Sequence, residues 1–283
     1  MPDRQTAFPS KPRTQVVRMG FSMGFTALLS ALALGTAGLA AAAAPQTAQA
    51  TQVAQTYKGN TTNDSFNQAK KMLERQVYPD HRVTFYCRAP FDAKKQITLP
   101  EGFTTPKHEK RAHRIEWEHV VPAESFGRAF VEWREGASVC VDSKGKAFKG
   151  RRCAEKANEE FRLMQADMHN LFPAIGAVNA IRSNIRFGVL PGVPNTFGTC
   201  AMKVADGRVE PPEYARGTIA RTAKYMALVY PKYRLSRQET QLFDAWDKQY
   251  PVDAWECERE RRIAKLQGNA NPVTREACRK AGL

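Results

Sequence analysis

No Cys-x-x-Cys pair occurs among the six cysteines of this sequence, which argues against a zinc site or a thioredoxin-like redox pair. Acidic residues are scarce: 28 Asp and Glu stand against 43 Lys and Arg in 283 residues, a formal charge of +15. No internal repeat is present, and no low-complexity tract follows the first fifty residues, so repeat architectures are excluded. No linker-like segment divides the remainder, and nothing in it reads as a recognition helix for a major groove. What remains is one ordinary domain with a surplus of positive charge.

The first fifty residues are set apart by composition. Arg4, Lys11, Arg13 and Arg18 precede an uncharged stretch from Met19 to Ala50, which ends in Ala48-Gln49-Ala50. A positive leader, an apolar run and a small-x-small site describe a signal peptide cleaved after Ala50. An uncleaved membrane anchor is the alternative, since the run is long enough to span a bilayer. The leader holds four of the basic and one of the acidic residues, so residues 51–283 keep a formal charge of +12. Such a domain is expected to attract polyanions. All six cysteines, Cys87, Cys140, Cys153, Cys200, Cys257 and Cys278, lie in this part. An even number in an exported chain predicts three disulfides, with Cys140–Cys153 the first choice and the other pairings open.

Hydrophobic spacing predicts a helix over 64–77, with Phe66, Ala69, Leu73 and Val77 on one face. Strand-like runs follow at 81–87 and 114–121, separated by a long loop over 89–113. The segment 134–153 reads as a basic loop. Helical patterns recur at 155–170, at 175–186 after an interruption at Pro173, and at 212–229, 236–249 and 253–267, where Asn269, Asn271 and Pro272 end the last. The chain is therefore read as a single α+β domain with few strands and many helices.

Three groups of residues carry chemistry. Glu118 and His119 form the first: a carboxylate is a hard ligand for Mg2+, and an imidazole can take a proton from water near neutral pH. Adjacent strand residues point to opposite faces, so one site can use both only where the strand bends or a ligand wraps its end. Asn179, Arg182 and Arg186 form the second, at a spacing that shares one helix face. An amide oxygen of Asn179 could be a further metal ligand, and the two arginines could hold phosphate. The third is the basic loop with Lys144, Lys146, Lys149, Arg151 and Arg152. A weaker cluster is Arg216, Arg221 and Lys224. Taken singly, each group is equally readable as a solvated or packed surface.

The strings EWEHVVPAESFG (116–127), FRLMQADMHNLFPAIGAVN (161–179), RSNIRF (182–187), CAMKV (200–204) and RGTIARTAKYM (216–226) occur in an order that resembles the endonuclease I family of bacterial periplasmic and secreted nucleases. The resemblance extends through most of residues 64–280. It implies a ββα-metal (His-metal finger) nuclease core embedded in a mainly helical single domain. It places the family's general base on His119, its metal ligands on Glu118 and Asn179, and its phosphate-binding arginine on Arg151, with Arg152 the alternative. Two positions depart from the family pattern: Gln165 and Ala177 stand where a glutamate is common. The six cysteines also fall two short of the eight in such proteins.

The resemblance thus implies a periplasmic or secreted, sequence-nonspecific endonuclease that leaves 5′-phosphate ends. It would use one Mg2+-type ion, with Mn2+ or Ca2+ as substitutes, and act on DNA with RNA as a second substrate; nothing marks an oligomeric state, and a monomer is assumed. The rival readings are a non-catalytic protein for DNA capture or uptake on the same scaffold, and a phosphodiesterase for small esters. The first predicts binding without cleavage; the second predicts weak salt dependence.

Overall fold

The computed structural model describes residues 57–283; the leader expected over 1–50 lies outside the described residues. The chain opens with helix α1 (Phe66–Met72), capped by the Ser65 hydroxyl and continued by one wider turn over Leu73–Val77. Strand β1 (Ile115–His119) follows a long irregular segment. After two single-turn helices, Ala123–Gly127 and Val131–Arg134, come helices α2 (Arg151–Ala157) and α3 (Glu159–Gln165), then strand β2 (Leu171–Ile175) and helix α4 (Gly176–Arg182). Strands β1 and β2 pair antiparallel, with Glu118 opposite Phe172 and His119 opposite Leu171.

A second small sheet has the order β3 (Arg186–Phe187), β5 (Arg208–Glu210), β4 (Lys203–Ala205). Four helices complete the fold: α5 (Glu213–Val229), α6 (Arg237–Gln249), α7 (Ala254–Gln267) and α8 (Pro272–Ala281). The architecture is α+β. The main core joins Phe126, Phe161, Ile175, Val178, Ile219, Met226 and Trp246. A smaller core packs Leu73, Val77, Met168 and Leu171 against Ile263 of α7, so α1 and the start of β2 rest on the C-terminal helices.

Several expectations need correction. Residues 81–87 do not form a strand. Thr84 instead closes a tight turn, its carbonyl and hydroxyl accepting from the N–H groups of Arg88 and Ala89. The pattern at 155–170 is broken at Asn158, which turns its side chain to cap α3. Pro173, expected as an interruption, sits inside β2 opposite Trp117, and its carbonyl accepts from Phe85 N–H. Helix α4 stops at Arg182, not at 186, because Ser183 turns with φ 49°. The residues read as stops after α7 start a new helix: Asn271 accepts from Val273 and Thr274 N–H, with Pro272 in the first turn. That combination is a helix start signal.

Three disulfides form, Cys87–Cys200, Cys140–Cys153 and Cys257–Cys278. The second agrees with the expected bridge; it ties the basic loop to Cys153 in the first turn of α2.

Where α5 meets the end of α6 there is no room for a side chain. A Cβ on Gly217 would lie 2.0 Å from the Tyr250 carbonyl oxygen. Gly217→Ala should therefore destabilise the protein by about 1–3 kcal/mol through backbone displacement, seen as a lower urea midpoint. An unchanged midpoint would show that the α5–α6 contact is not rigid.

Candidate active site

A cleft of about 1070 Å³ runs beside β1 and is lined by Glu116, Glu118, His119, Arg151 and Asn179 among others. Among the described residues β1 pairs with β2 alone; its other edge is held at the two ends, where Ile115 N–H donates to the Lys95 carbonyl and Arg182 donates to the His119 carbonyl, and carries no strand between them. Side chains from both faces of β1 reach the cleft around that edge and past its end. The alternation of the strand therefore does not separate Glu118 from His119.

Glu118 is almost fully buried. Its Oε1 accepts from the Tyr86 hydroxyl at 2.8 Å and lies 3.0 Å from Arg182 Nη1. Burial pushes the Glu118 carboxyl above its ordinary value, against the pull of Arg182 and Tyr86. Both of these contacts fall on Oε1, so Oε2 is the oxygen left for a ligand.

His119 donates from Nε2 to the Gln165 main-chain carbonyl at 2.9 Å. A carbonyl can only accept, so Nε2 carries the proton and Nδ1 holds the free lone pair. The Phe66 ring lies 4.9 Å from the imidazole. Burial, reinforced by Arg151, Arg182 and Lys70, pushes His119 down to about 3, so the ring is neutral at ordinary pH.

Asn179 is fixed by a relay of side chains. Its Nδ2 donates to Glu116 Oε2 at 2.9 Å, which turns Oδ1 away from Glu116. Glu116 is gripped by Arg111 through Nε and Nη2 and lies 3.6 Å from Arg114. Burial works to raise the Glu116 carboxyl, but the bonds from Arg111 and Asn179 outweigh it and hold it below its usual value. Gly176 permits the arrangement, since a Cβ there would meet the Arg111 carbonyl oxygen at 2.5 Å.

The donors left over, a carboxylate oxygen of Glu118 and an amide oxygen of Asn179, are both hard. Among the described residues no three His, Cys, Asp or Glu side chains cluster for a metal. An ion here would rest on this pair and its own waters, a sparse set that fits Mg2+ better than zinc.

The predicted arginines separate. Arg151, the first residue of α2, lines the cleft and donates from Nε to Gln165 Oε1 at 2.7 Å. Arg152 turns away, over the Phe148 ring at 4.6 Å, and does not line the cleft. Arg182 is not on a wet helix face: it is 1% exposed, with Nη1 donating to the His119 carbonyl at 2.8 Å and Nη2 to that of Val120 at 2.6 Å. A phosphate does not reach it. Its role is to tie α4 to the end of β1. Arg186 is exposed on β3, 4.0 Å from Glu239, and outside the cleft lining. Lys144, Lys146 and Lys149 are exposed on the disulfide-closed loop, also outside it. Arg216, Arg221 and Lys224 are occupied by ion pairs to Glu210, Glu256 and Asp247.

Sequence reasoning missed Lys70, Lys71, Lys95, Arg111 and Arg114 on the cleft walls. The signal was available for three of them: Phe66 and Lys70 stand four residues apart on one helix, and Arg111 and Arg114 lie within four residues of the start of β1. Tyr86 was missed because it lies in a segment read as strand.

A mixed fold with a basic cleft around a strand end, holding a neutral histidine and a hard two-oxygen donor set, describes a phosphodiesterase-type site. Residues 43–278 match the Endonuclease I family. Similar proteins include an extracellular deoxyribonuclease of Aeromonas hydrophila, 45% identical over 221 residues, covering 76% of this chain and 90% of that protein. A periplasmic deoxyribonuclease of the same organism is also 45% identical, covering 76% of this chain and 86% of its own. Endonuclease-1 of Buchnera aphidicola subsp. Acyrthosiphon pisum is 38% identical over 230 residues, covering 79% of this chain and 86% of its own. The chain belongs to the Endonuclease I family.

Arg182 is a buried cation whose hydrogen-bond and ion-pair partners are on or beside β1, apart from the Ser183 carbonyl; its guanidinium also lies over the Phe187 ring. Arg182→Leu would leave the Glu118 carboxylate buried with only the Tyr86 hydroxyl. A loss of about 3–5 kcal/mol in unfolding free energy is expected, read by urea denaturation at neutral pH. A loss below about 1 kcal/mol, the range of exposed ion pairs, would show that the pair is not dry.

Proposed function

We propose that the protein is an endonuclease that hydrolyses phosphodiester bonds in DNA, and in RNA as a second substrate, with little sequence preference. The observation that carries this reading is the hydrogen bond from His119 Nε2 to the Gln165 carbonyl. It leaves Nδ1 as a base in a cleft that also holds Glu118, Asn179 and Arg151. The family membership and the names of the relatives support the same reaction.

The chemistry follows from the difficulty of the reaction. A phosphodiester anion repels its nucleophile, and the alkoxide leaves poorly. Neutral His119 takes a proton through Nδ1 from the water that attacks phosphorus, and a base so placed contributes about 10²–10⁴ in rate. Arg151 donates to a non-bridging oxygen as charge builds there. Glu118 and Asn179 would hold a Mg2+-type ion, for which Mn2+ or Ca2+ could substitute; when bound, it supplies Lewis-acid neutralisation of the charge at the phosphoryl and leaving oxygens. Tyr86, Arg182 and Glu116 keep the ligand side chains in place. The products carry 5′-phosphate ends.

In this reading β1, β2 and α4 make up a ββα-metal core. The strand Ile115–His119, its antiparallel partner Leu171–Ile175 and the helix that follows support it. Lys70 and Lys71 line the cleft with no carboxylate in ion-pair reach among the described residues, and they provide contacts to phosphates away from the cut. A site that grips the backbone need not sense the 2′-hydroxyl, so RNA should be accepted. Three disulfides and the leader read over 1–50 support export to the periplasm or beyond.

The test is plasmid nicking by the purified, oxidised protein with Mg2+, with a chelator, and with His119→Ala. Cleavage should stop with the chelator and fall by about 10²–10⁴ in the variant, while binding to DNA persists. Salt-sensitive binding by the wild type with no cleavage would mean a capture protein and refute the mechanism.

A further inference from the structure

Gln165 ends α3 and is 1% exposed, yet it touches two residues assigned to the reaction. Its main-chain carbonyl accepts from His119 Nε2 at 2.9 Å, and its side-chain Oε1 accepts from Arg151 Nε at 2.7 Å. The third polar atom, Nε2, is buried without a partner. Exchanging the two ends of the amide gives no relief, because Nε2 would then face a guanidinium N–H, donor against donor. Buried polar groups are nearly always satisfied, so the orphaned N–H2 is a standing cost at this position. A carboxylate of the same shape would carry no orphaned donor and would bind Arg151 as an ion pair.

The surroundings of Arg151 indicate what that cost secures. No carboxylate lies within ion-pair distance of Arg151 among the described residues; Glu155 acts on it only at longer range. The guanidinium instead stands 5.3 Å from the Phe66 ring, which in turn lies 4.9 Å from the His119 imidazole. Gln165, Arg151, Phe66 and His119 thus close a ring of contacts. The amide carbonyl aims the guanidinium through a dipole and leaves its net charge intact, whereas a carboxylate would aim it and cancel the charge.

We propose that Gln165 is the positioning residue shared by His119 and Arg151, and that its neutrality reserves the charge of Arg151 for a nucleic-acid phosphate. This rests on the nuclease reading above and deepens it. The main-chain bond to His119 does not depend on the side chain, so substitutions at 165 act on the Arg151 half alone.

Gln165→Glu, Gln165→Met, Arg151→Ala and the Gln165→Met/Arg151→Ala double variant separate the possibilities. DNA binding is measured in chelator across a salt titration, and cleavage kinetics are measured with Mg2+. Gln165→Glu should reduce the slope of log affinity against log salt by about 0.9, one duplex phosphate contact. It should also raise KM roughly tenfold, the scale of one charged hydrogen bond, with a smaller change in kcat. Gln165→Met should lower kcat/KM roughly tenfold on the same scale, and should add nothing further in the Arg151→Ala background, as expected for residues acting as one unit. The proposal is overturned if Gln165→Glu keeps the wild-type slope and KM, or if the Gln165→Met loss recurs undiminished without Arg151. A wild type that binds but does not cut would sink the nuclease reading, and the salt slope in chelator would still decide the role of Gln165.

Discussion

The ion pair between Arg182 and Glu118 is the constraint on which the site depends. Two charges buried within a few per cent of complete exclusion from water are tolerable only when each is matched in geometry. Arg182 meets this condition through its two Nη atoms, with one carboxylate oxygen and the main-chain carbonyls of His119 and Val120 at the end of β1, while its Nε is left buried without a partner. In doing so it fixes the last turn of α4 against the strand end. Asn179 stands one turn earlier on the same helix, so anchoring α4 at the strand end also holds the turn that carries Asn179. A sheet of only two strands has few ladder hydrogen bonds to resist shear; the guanidinium replaces what a third strand would supply.

Around that fixed point, the polar side chains are each assigned one task by a partner that leaves a single atom free. Tyr86 and Arg182 occupy Glu118 Oε1 and leave Oε2. Glu116 takes the Asn179 N–H2 and leaves Oδ1. The Gln165 carbonyl takes His119 Nε2–H and leaves Nδ1. Three different residue types are oriented by the same device, and none depends on a ligand to choose its rotamer. Preorganisation of this kind is what electrostatic catalysis requires, since nothing has to turn as charge develops.

Much of this was legible in the sequence, and the illegible part has physical reasons. The helices 213–229, 237–249 and 254–267 were readable from apolar periodicity, and in the last two side-chain caps coincide with it, as in the Ser236–Glu239 capping box of α6. β2 was not, because all five of its residues are buried and a continuous apolar run with a proline carries no period. Helix α8 was hidden because Asn and Pro serve both as stops and as starts. Glu118, His119 and Asn179 were singled out by resemblance, since their spacing alone did not distinguish a site from an ordinary surface, and the structure brings all three to one cleft. Arg182 was misplaced because spacing reports which face a residue shares, not whether that face is wet.

The same limit governs the reading of charge. A formal +15 suggests a polyanion partner but not where it binds, and the clusters most visible in the sequence were poor guides. Arg221 is buried between Glu256 and Asp247, and Arg216 and Lys224 are likewise neutralised by carboxylates. Their charge is spent on joining α5 to its neighbours. Lys70, Lys71 and Arg151 are less conspicuous in sequence, yet all three line the cleft without a carboxylate in ion-pair reach among the described residues. A phosphate gains most from cations that no protein anion already satisfies, because it need not displace a partner to reach them. The location of unpaired charge, rather than its total, therefore directs a polyanion to this cleft. An amide at position 165 keeps Arg151 among those unpaired charges.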